Sequence, residues 1–133
     1  MITLRQAQAV IAAGEATAAA IGVPVNIAVL DAGTHLKAFS RMDGAVLGSI
    51  DIAMRKARTA ALFRTTSEAV WEYCKPGAPA PALELTNGGL APFAGGIPLL
   101  GPDGTMIGAV GVSGGAVSQD LDIAKAAAAA LVA

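Results

Sequence analysis

The chain has 133 residues; 54% are apolar, only 14% are charged, and the formal net charge is −1. Charged residues usually make up about a quarter of a globular chain, so this one has too little charge to cover a monomer, and its apolar and small-residue surfaces are expected to face other subunits. The balance excludes the basic field of a nucleic-acid surface, no apolar run reaches the ~18 residues of a membrane span, and a lone Cys74 excludes an internal disulfide or a cysteine metal cage.

Thr3 opens TLRQ, a capping-box pattern. Leu4, Ala7, Val10, Ile11, Gly14, Ala18 and Ile21 then fit one face of a helix, which Gly22 ends and Pro24 cannot extend. This opening is helical and lacks the charged and apolar regions of a signal peptide, so the expected location is cytoplasmic. VPVNIAVLD reads as a strand with Val23, Val25, Ile27 and Val29 on one face, Asp31-Ala32-Gly33 as a turn, and THLKAFSRM as the returning strand. After a break at 44–48, a helix capped by Gly48 or Ser49 is expected to run to Phe63. Its apolar stripe is Ile50, Ala53, Met54, Ala57, Ala60 and Ala61, and Asp51 and Arg55 form an i,i+4 pair. Ser67 is the expected cap of a short helix, SEAVWEYCK.

Residues 76–96 are rich in Pro, Gly and Ala and carry little periodicity. A loop that long is often functional. GIPLL and TMIGAVGVSG flank the Pro102-Asp103-Gly104 turn as a second hairpin, and Ser118-Gln119-Asp120 starts a last helix, SQDLDIAKAAAAALVA, with acids in its first turn. Two hairpins interleaved with helices predict one domain over 1–133, of α+β class, with a mostly antiparallel sheet.

The segments VPVNIAVLDAGTHLKAFSRMDGAVLGSIDIAMRKARTAALF, GGIPLL and GAVGVSGG with QDLDIAKAA together resemble the GlcG/HbpS family, also called the haem-degrading domain family, over nearly the whole chain. The resemblance implies a profilin-like fold, a central antiparallel sheet of two hairpins flanked by helices. It also implies homo-oligomers, often octamers. Some family members bind haem and are linked to its degradation or to redox sensing, and a related domain ends the PduO-type cobalamin adenosyltransferases. Haem is therefore the candidate cofactor.

Several residues carry chemistry that a site could use. His35, the only histidine, stands beside the first hairpin turn as a candidate haem ligand or general base; the competing reading is an exposed turn residue. Met42, Tyr73 and Cys74 have iron-binding atoms but read better as packing. Arg41 and Asp43 sit where a strand ends in a turn, so Arg41 can hold a carboxylate bidentately while Asp43 orients it; the pair can equally fix the turn. Lys56 shares an edge of its helix with Ile52 and Thr59 and is the basic residue expected to be half-buried, as an anion binder or an activated amine. Arg55 and Arg58 read as a solvated face. Gly95 and Gly96 offer backbone N–H groups to a ligand. The SGG run at 113–115 is a weaker anion nest. Asn87 and Glu84 could close a lid.

These residues support three functions. The first is a homo-oligomeric binding protein for haem or another anionic small molecule, held by Arg41, Asp43, Lys56, Asn87, Gly95 and Gly96. The second is an enzyme acting on a small carboxylated molecule, with Lys56 and Asp43 as the catalytic pair. The third is a ligand-free accessory subunit. One histidine and one cysteine cannot supply an imidazole- or thiolate-rich metal site, and neither a nucleic acid nor a membrane is an expected partner.

Overall fold

The computed structural model describes residues 1–131, so the last two residues of the Ala-rich terminus lie outside it. Helix α1 spans Leu4–Ile21. Its capping box is formed as expected: Gln6 N–H donates to Thr3 Oγ1 at 3.1 Å and Thr3 N–H to Gln6 Oε1 at 2.8 Å. Gly22 closes the helix in the left-handed region with φ 71°, where a Cβ would be strained. Strands β1 (Asn26–Asp31) and β2 (Leu36–Arg41) form the first antiparallel hairpin.

Helix α2 spans Gly48–Phe63 and α3 spans Ser67–Cys74. Neither takes the expected side-chain cap. The cap positions are Leu47 and Thr66, with no side-chain bond at either, because Ser49 and Ser67 are buried and spend their hydroxyls on Val46 O and Phe93 O. Beyond α3 the long connection contains a single 3-10 turn at Leu83–Leu85. Strands β3 (Gly96–Leu100) and β4 (Met106–Ser113) form the second hairpin, and α4 runs Val117–Ala129.

The four strands make one sheet in the order β2-β1-β4-β3, antiparallel throughout. The class is α+β, as the element order predicts. Alternation along the strands then divides the interior. Val25, Ile27, Val29, Leu99, Val110 and Val112 point to one side and pack with Val10, Ile11 and Ala18 of α1 and Ile123, Ala124 and Ala127 of α4. Burying each such Val, Ile or Leu side chain contributes about 1.5–3 kcal/mol relative to leaving it in water. The intervening residues face α2, where Ala28 and Leu30 meet Ala53 and Ala57, and Ala109 meets Ala60 and Ala61. These small residues let α2 lie almost on the sheet backbone. A Cβ at Gly111 would come within 2.0 Å of Ala53 O.

No described helix is long and apolar enough to cross a membrane.

Candidate functional site

The α2 face of the sheet, unlike the other, carries polar side chains in the interior. Asn26, Ser49, Lys56, Thr59, Ser67 and Asp120 are all buried. Asn26 Nδ2 donates to Ser49 Oγ at 2.6 Å. Thr59 Oγ1 accepts the Ala91 N–H at 3.0 Å, and Ser67 Oγ accepts the Gly96 N–H at 2.8 Å. The Thr59–Ala91 bond and the Ser67 Oγ–H bond to Phe93 O tie the long 76–95 connection onto α2 and α3, so it is a fastened strap rather than a free lid.

Lys56 is the centre of this network. The sequence places it half-buried and beside Arg41, and the structure corrects both points. Its side chain is 0% exposed. The ammonium donates to Val112 O at 2.8 Å and to Asp120 Oδ2 at 3.0 Å, and it stands 5.0 Å from the centre of the Phe93 ring. Burial pushes the Lys56 pKa below the ordinary lysine value of 10.5, while the bond and charge of Asp120 push it back up. Asp120, expected only as a helix-dipole acid, also accepts the Gly115 N–H through Oδ1 at 2.9 Å. The pair therefore links α2, β4 and the start of α4, and its ammonium has no open face for a substrate.

Gly95 and Gly96 belong to the same packing. A Cβ on Gly95 would lie 2.8 Å from Lys56 Nζ, and one on Gly96 would lie 2.2 Å from Lys56 O. The Gly96 N–H is already taken by Ser67 Oγ, so it is not the free ligand donor that the sequence suggested. Lys56 bonds to Val112 of β4 and lies against Gly95 and Gly96 at the start of β3, so β1 stands between it and β2. Two strand spacings amount to roughly 9.5 Å. Arg41, exposed at the end of β2 and opposite Asn26 in register, thus does not share a pocket with Lys56. Asp43 is exposed in the following turn, and no ion pair joins it to Arg41 among the described residues.

Asn87 keeps its place in a site, but with other partners. A cleft of about 300 Å³ lies between α2, the first hairpin and the strap, lined by Leu30, Thr34, Leu36, Asp51, Met54, Arg55, Arg58, Asn87 and Gly88. Positions 51, 54, 55 and 58 are spaced by three and four, so one face of α2 presents them together. Arg55 Nε pairs with Asp51 at 2.6 Å, and its Nη1 donates to Gly88 O at 2.6 Å and Gly89 O at 2.9 Å. Arg58 Nη1 donates to Asn87 O. Asn87 supports this turn in the left-handed region at φ 55°, which Asn tolerates, with Nδ2 donating to Thr86 Oγ1 at 3.0 Å.

Arg55 and Arg58 are therefore half-buried clamps and not a solvated face. Among the described residues, the Nη2 groups of both guanidiniums make no protein hydrogen bond. Two guanidiniums against one carboxylate give the cleft a positive balance, and Leu30, Leu36 and Met54 give it an apolar wall. This arrangement suits an anion with an apolar body. Sequence reading missed both arginines because their targets are backbone carbonyls about 30 residues away, which leave no pattern of residue types.

His35 follows the turn with its side chain 83% exposed. Its Nδ1 lies 3.4 Å from Asp31 Oδ1, so Nε2 is the outward nitrogen. Asp31 in turn accepts the Gly33 and His35 N–H groups at 2.9 and 3.0 Å, and these backbone bonds lower its pKa from 3.8. Thr34 and Leu36, the neighbours of His35, line the cleft, but His35 itself does not. Of the remaining candidates, Met42 packs against the aliphatic core, and Cys74 is buried with its thiol pushed up by burial. No group of three or more His, Cys, Asp or Glu among the described residues is placed to hold a metal ion.

Comparison with known proteins places this architecture. Residues 2–129 match the family described as "Haem degrading protein HbpS-like". The chain belongs to the HbpS-like family. Protein GlcG of Escherichia coli K12 is 43% identical over 113 residues, covering 85% of this chain and 81% of that protein. The corrinoid adenosyltransferase PduO of Salmonella typhimurium is 40% identical over 111 residues, covering 82% of this chain but only 32% of PduO. Among solved structures, Klebsiella pneumoniae ORFY superposes with a TM-score of 0.95 at 38% identity, covering 99% of this chain and 91% of that one. A structure of a PduOC:heme complex superposes with a TM-score of 0.91 at 35% identity, covering 97% of this chain and 94% of its own. The HbpS-like architecture is thus one on which a relative has been seen with haem.

Proposed function

We propose that this HbpS-like protein is a homo-oligomeric binding protein for an anionic, largely apolar small molecule, with haem as the leading ligand and the Arg55–Arg58–Asn87 cleft as its anionic subsite. The observation that carries this reading is the pair of guanidiniums held at an apolar wall with Nη2 donors to spare. The likeness to a haem-bound relative names the ligand to test first.

The residues present fit haem in part. Arg55 and Arg58 suit propionates, and Leu30, Leu36 and Met54 suit a macrocycle edge. A cleft of about 300 Å³ lies at the bottom of the usual range for ligand pockets, ~300–1,000 Å³. It would seat one end of a haem and leave the rest to a second protomer. Val46, Leu47 and Leu85, 65–76% exposed, are apolar surface that such assembly would cover. His35 is the candidate iron ligand, oriented by Asp31 in the manner of a carboxylate behind a metal-bound imidazole. When bound, haem would supply the redox chemistry of its iron; the chain's own part is to hold the propionates and fix the imidazole. An acid–base enzyme built on Lys56 has no support from its surroundings, because the amine is sealed against Asp120.

The octamer and the cytoplasmic location are part of this proposal, as is the absence of nucleic-acid and membrane partners. Light scattering after size exclusion should give a single mass several times 13.1 kDa; a monomer at micromolar concentration contradicts the assembly. Hemin titrated into the native protein should give a saturable Soret shift of fixed stoichiometry. His35→Ala should move or abolish that band, and an unchanged band would take His35 out of the role of ligand.

A further inference from the structure

Asn87 and Gly88 are exposed residues of the strap, and both line the arginine cleft. An asparagine followed by glycine can react with its own backbone, because the next amide nitrogen lies within reach of the side-chain carbonyl carbon and glycine puts no Cβ in the way. Three features of this turn favour that reaction. The Gly88 N–H donates no hydrogen bond among the described residues. No atom lies within 4 Å of the place a Gly88 Cβ would take, so the turn has room to change shape. Arg58 Nη1 donates to Asn87 O, the oxygen that would share the negative charge of a deprotonated Gly88 amide, and a charge-assisted bond there makes the N–H more acidic. Asn26, the other asparagine of the chain, has opposite surroundings. It is buried in β1 and followed by the β-branched Ile27, between β2 and β4.

We propose that Asn87 is a self-modification site whose deamidation closes the arginine cleft. A solvent base takes the Gly88 amide proton, and the nitrogen attacks Asn87 Cγ. The new N–C bond forms, the Cγ–Nδ2 bond breaks, and Nδ2 leaves as ammonia. Water then opens the cyclic imide at either carbonyl and leaves aspartate or isoaspartate at position 87. The sequence of steps consumes only water and needs no oxidant or reductant. It adds a carboxylate beside Arg55 and Arg58, whose spare Nη2 donors can pair with it. An anionic ligand then meets a cleft that is filled and less positive. This consequence rests on the anion-binding reading of the cleft, whereas the modification itself does not.

The experiment ages the full-length native protein in mildly alkaline buffer, beside the same chain unfolded in guanidinium chloride, and maps the peptides of both by mass over time. The expected result in the folded protein is the mass gain of NH2 replaced by OH at position 87, faster at higher pH, with Asn26 unchanged. The Asp43-Gly44 and Asp103-Gly104 steps can form the same ring but without a change in mass, so they do not enter the readout. An intact Asn87 in the folded protein, after the unfolded chain has reacted, would overturn the proposal. Hemin titrations of fresh, fully aged and Asn87→Asp protein then read the consequence. Binding should be at least tenfold weaker in the last two than in the first. Equal binding in all three would overturn the closing of the cleft. A flat titration of the fresh protein would instead strike the anion-binding reading, and the closing with it, while the mass gain still decides the modification.

Discussion

The two faces of the sheet are built on different principles. The face toward α1 and α4 is filled by branched aliphatic side chains, Val25, Ile27, Val29, Val110, Val112 and Ile123. The face toward α2 is filled by Ala and Gly, and the room saved on side chains holds the buried Lys56–Asp120 pair, three serines, a threonine and an asparagine. The first face holds the sheet by burial that tolerates small losses. The second holds the strap and α4 by specific bonds, and the arginine cleft opens beside it. The proposed chemistry of this protein thus sits on the side where interactions are directional and hard to replace.

The contrast can be broken most severely at Lys56. Lys56→Met leaves Asp120 buried without its counter-charge and should cost about 3–5 kcal/mol in denaturant unfolding. Adding Asp120→Asn, which keeps an acceptor for Gly115 N–H, should recover most of that loss. If the double variant were as unstable as the single one, the pair would not be the link between α2 and α4. Gly111→Ala comes next. Its methyl would meet the Ala53 carbonyl at 2.0 Å, backbone that cannot swing away, and overpacking of this kind costs about 1–3 kcal/mol or more. On the aliphatic face, Ile27→Val removes one methylene and should cost only about 0.5–1.5 kcal/mol. A loss at Ile27 larger than that at Gly111 would invert the account of the two faces.

The smallest expected effect lies at the hairpin turn, outside both faces. The folded pKa of Asp31 is depressed, so its contribution is complete above about 3.8, the unfolded value, and is lost as pH falls through the lower folded value. Asp31→Asn should therefore flatten the acid limb of the stability curve, with a small loss at neutral pH and the least change at low pH, where Asp31 is already protonated. A large loss at pH 7 would contradict a purely local role for this exposed turn.

Most of the fold was legible because its signals are local. The Thr3–Gln6 box, Gly22, the two hairpin turns and the Ala stripe of α2 each act within a few residues. The site was less legible. Lys56 meets Asp120 across 64 positions, and nothing in either neighbourhood announces the other. Arg55 and Arg58 address carbonyls, which every residue carries. Ser49 and Ser67 read as caps because capping and bonding to a carbonyl use the same hydroxyl, which Ser49 gives to Val46 O just before the helix and Ser67 to Phe93 O in the strap. Of the residues first grouped as a pocket, Asn87 lines the arginine cleft, whereas Lys56, Gly95 and Gly96 are packed in the interior.

The central claim is that an anionic ligand is held on the α2 face by Arg58 and not at the end of β2 by Arg41. A hemin titration followed in the Soret region, with Arg58→Gln and Arg41→Gln in parallel, tests it directly. The account predicts saturable binding in the native protein, at least tenfold weaker in Arg58→Gln and unchanged in Arg41→Gln. A flat native titration, or a loss confined to Arg41→Gln, would contradict it.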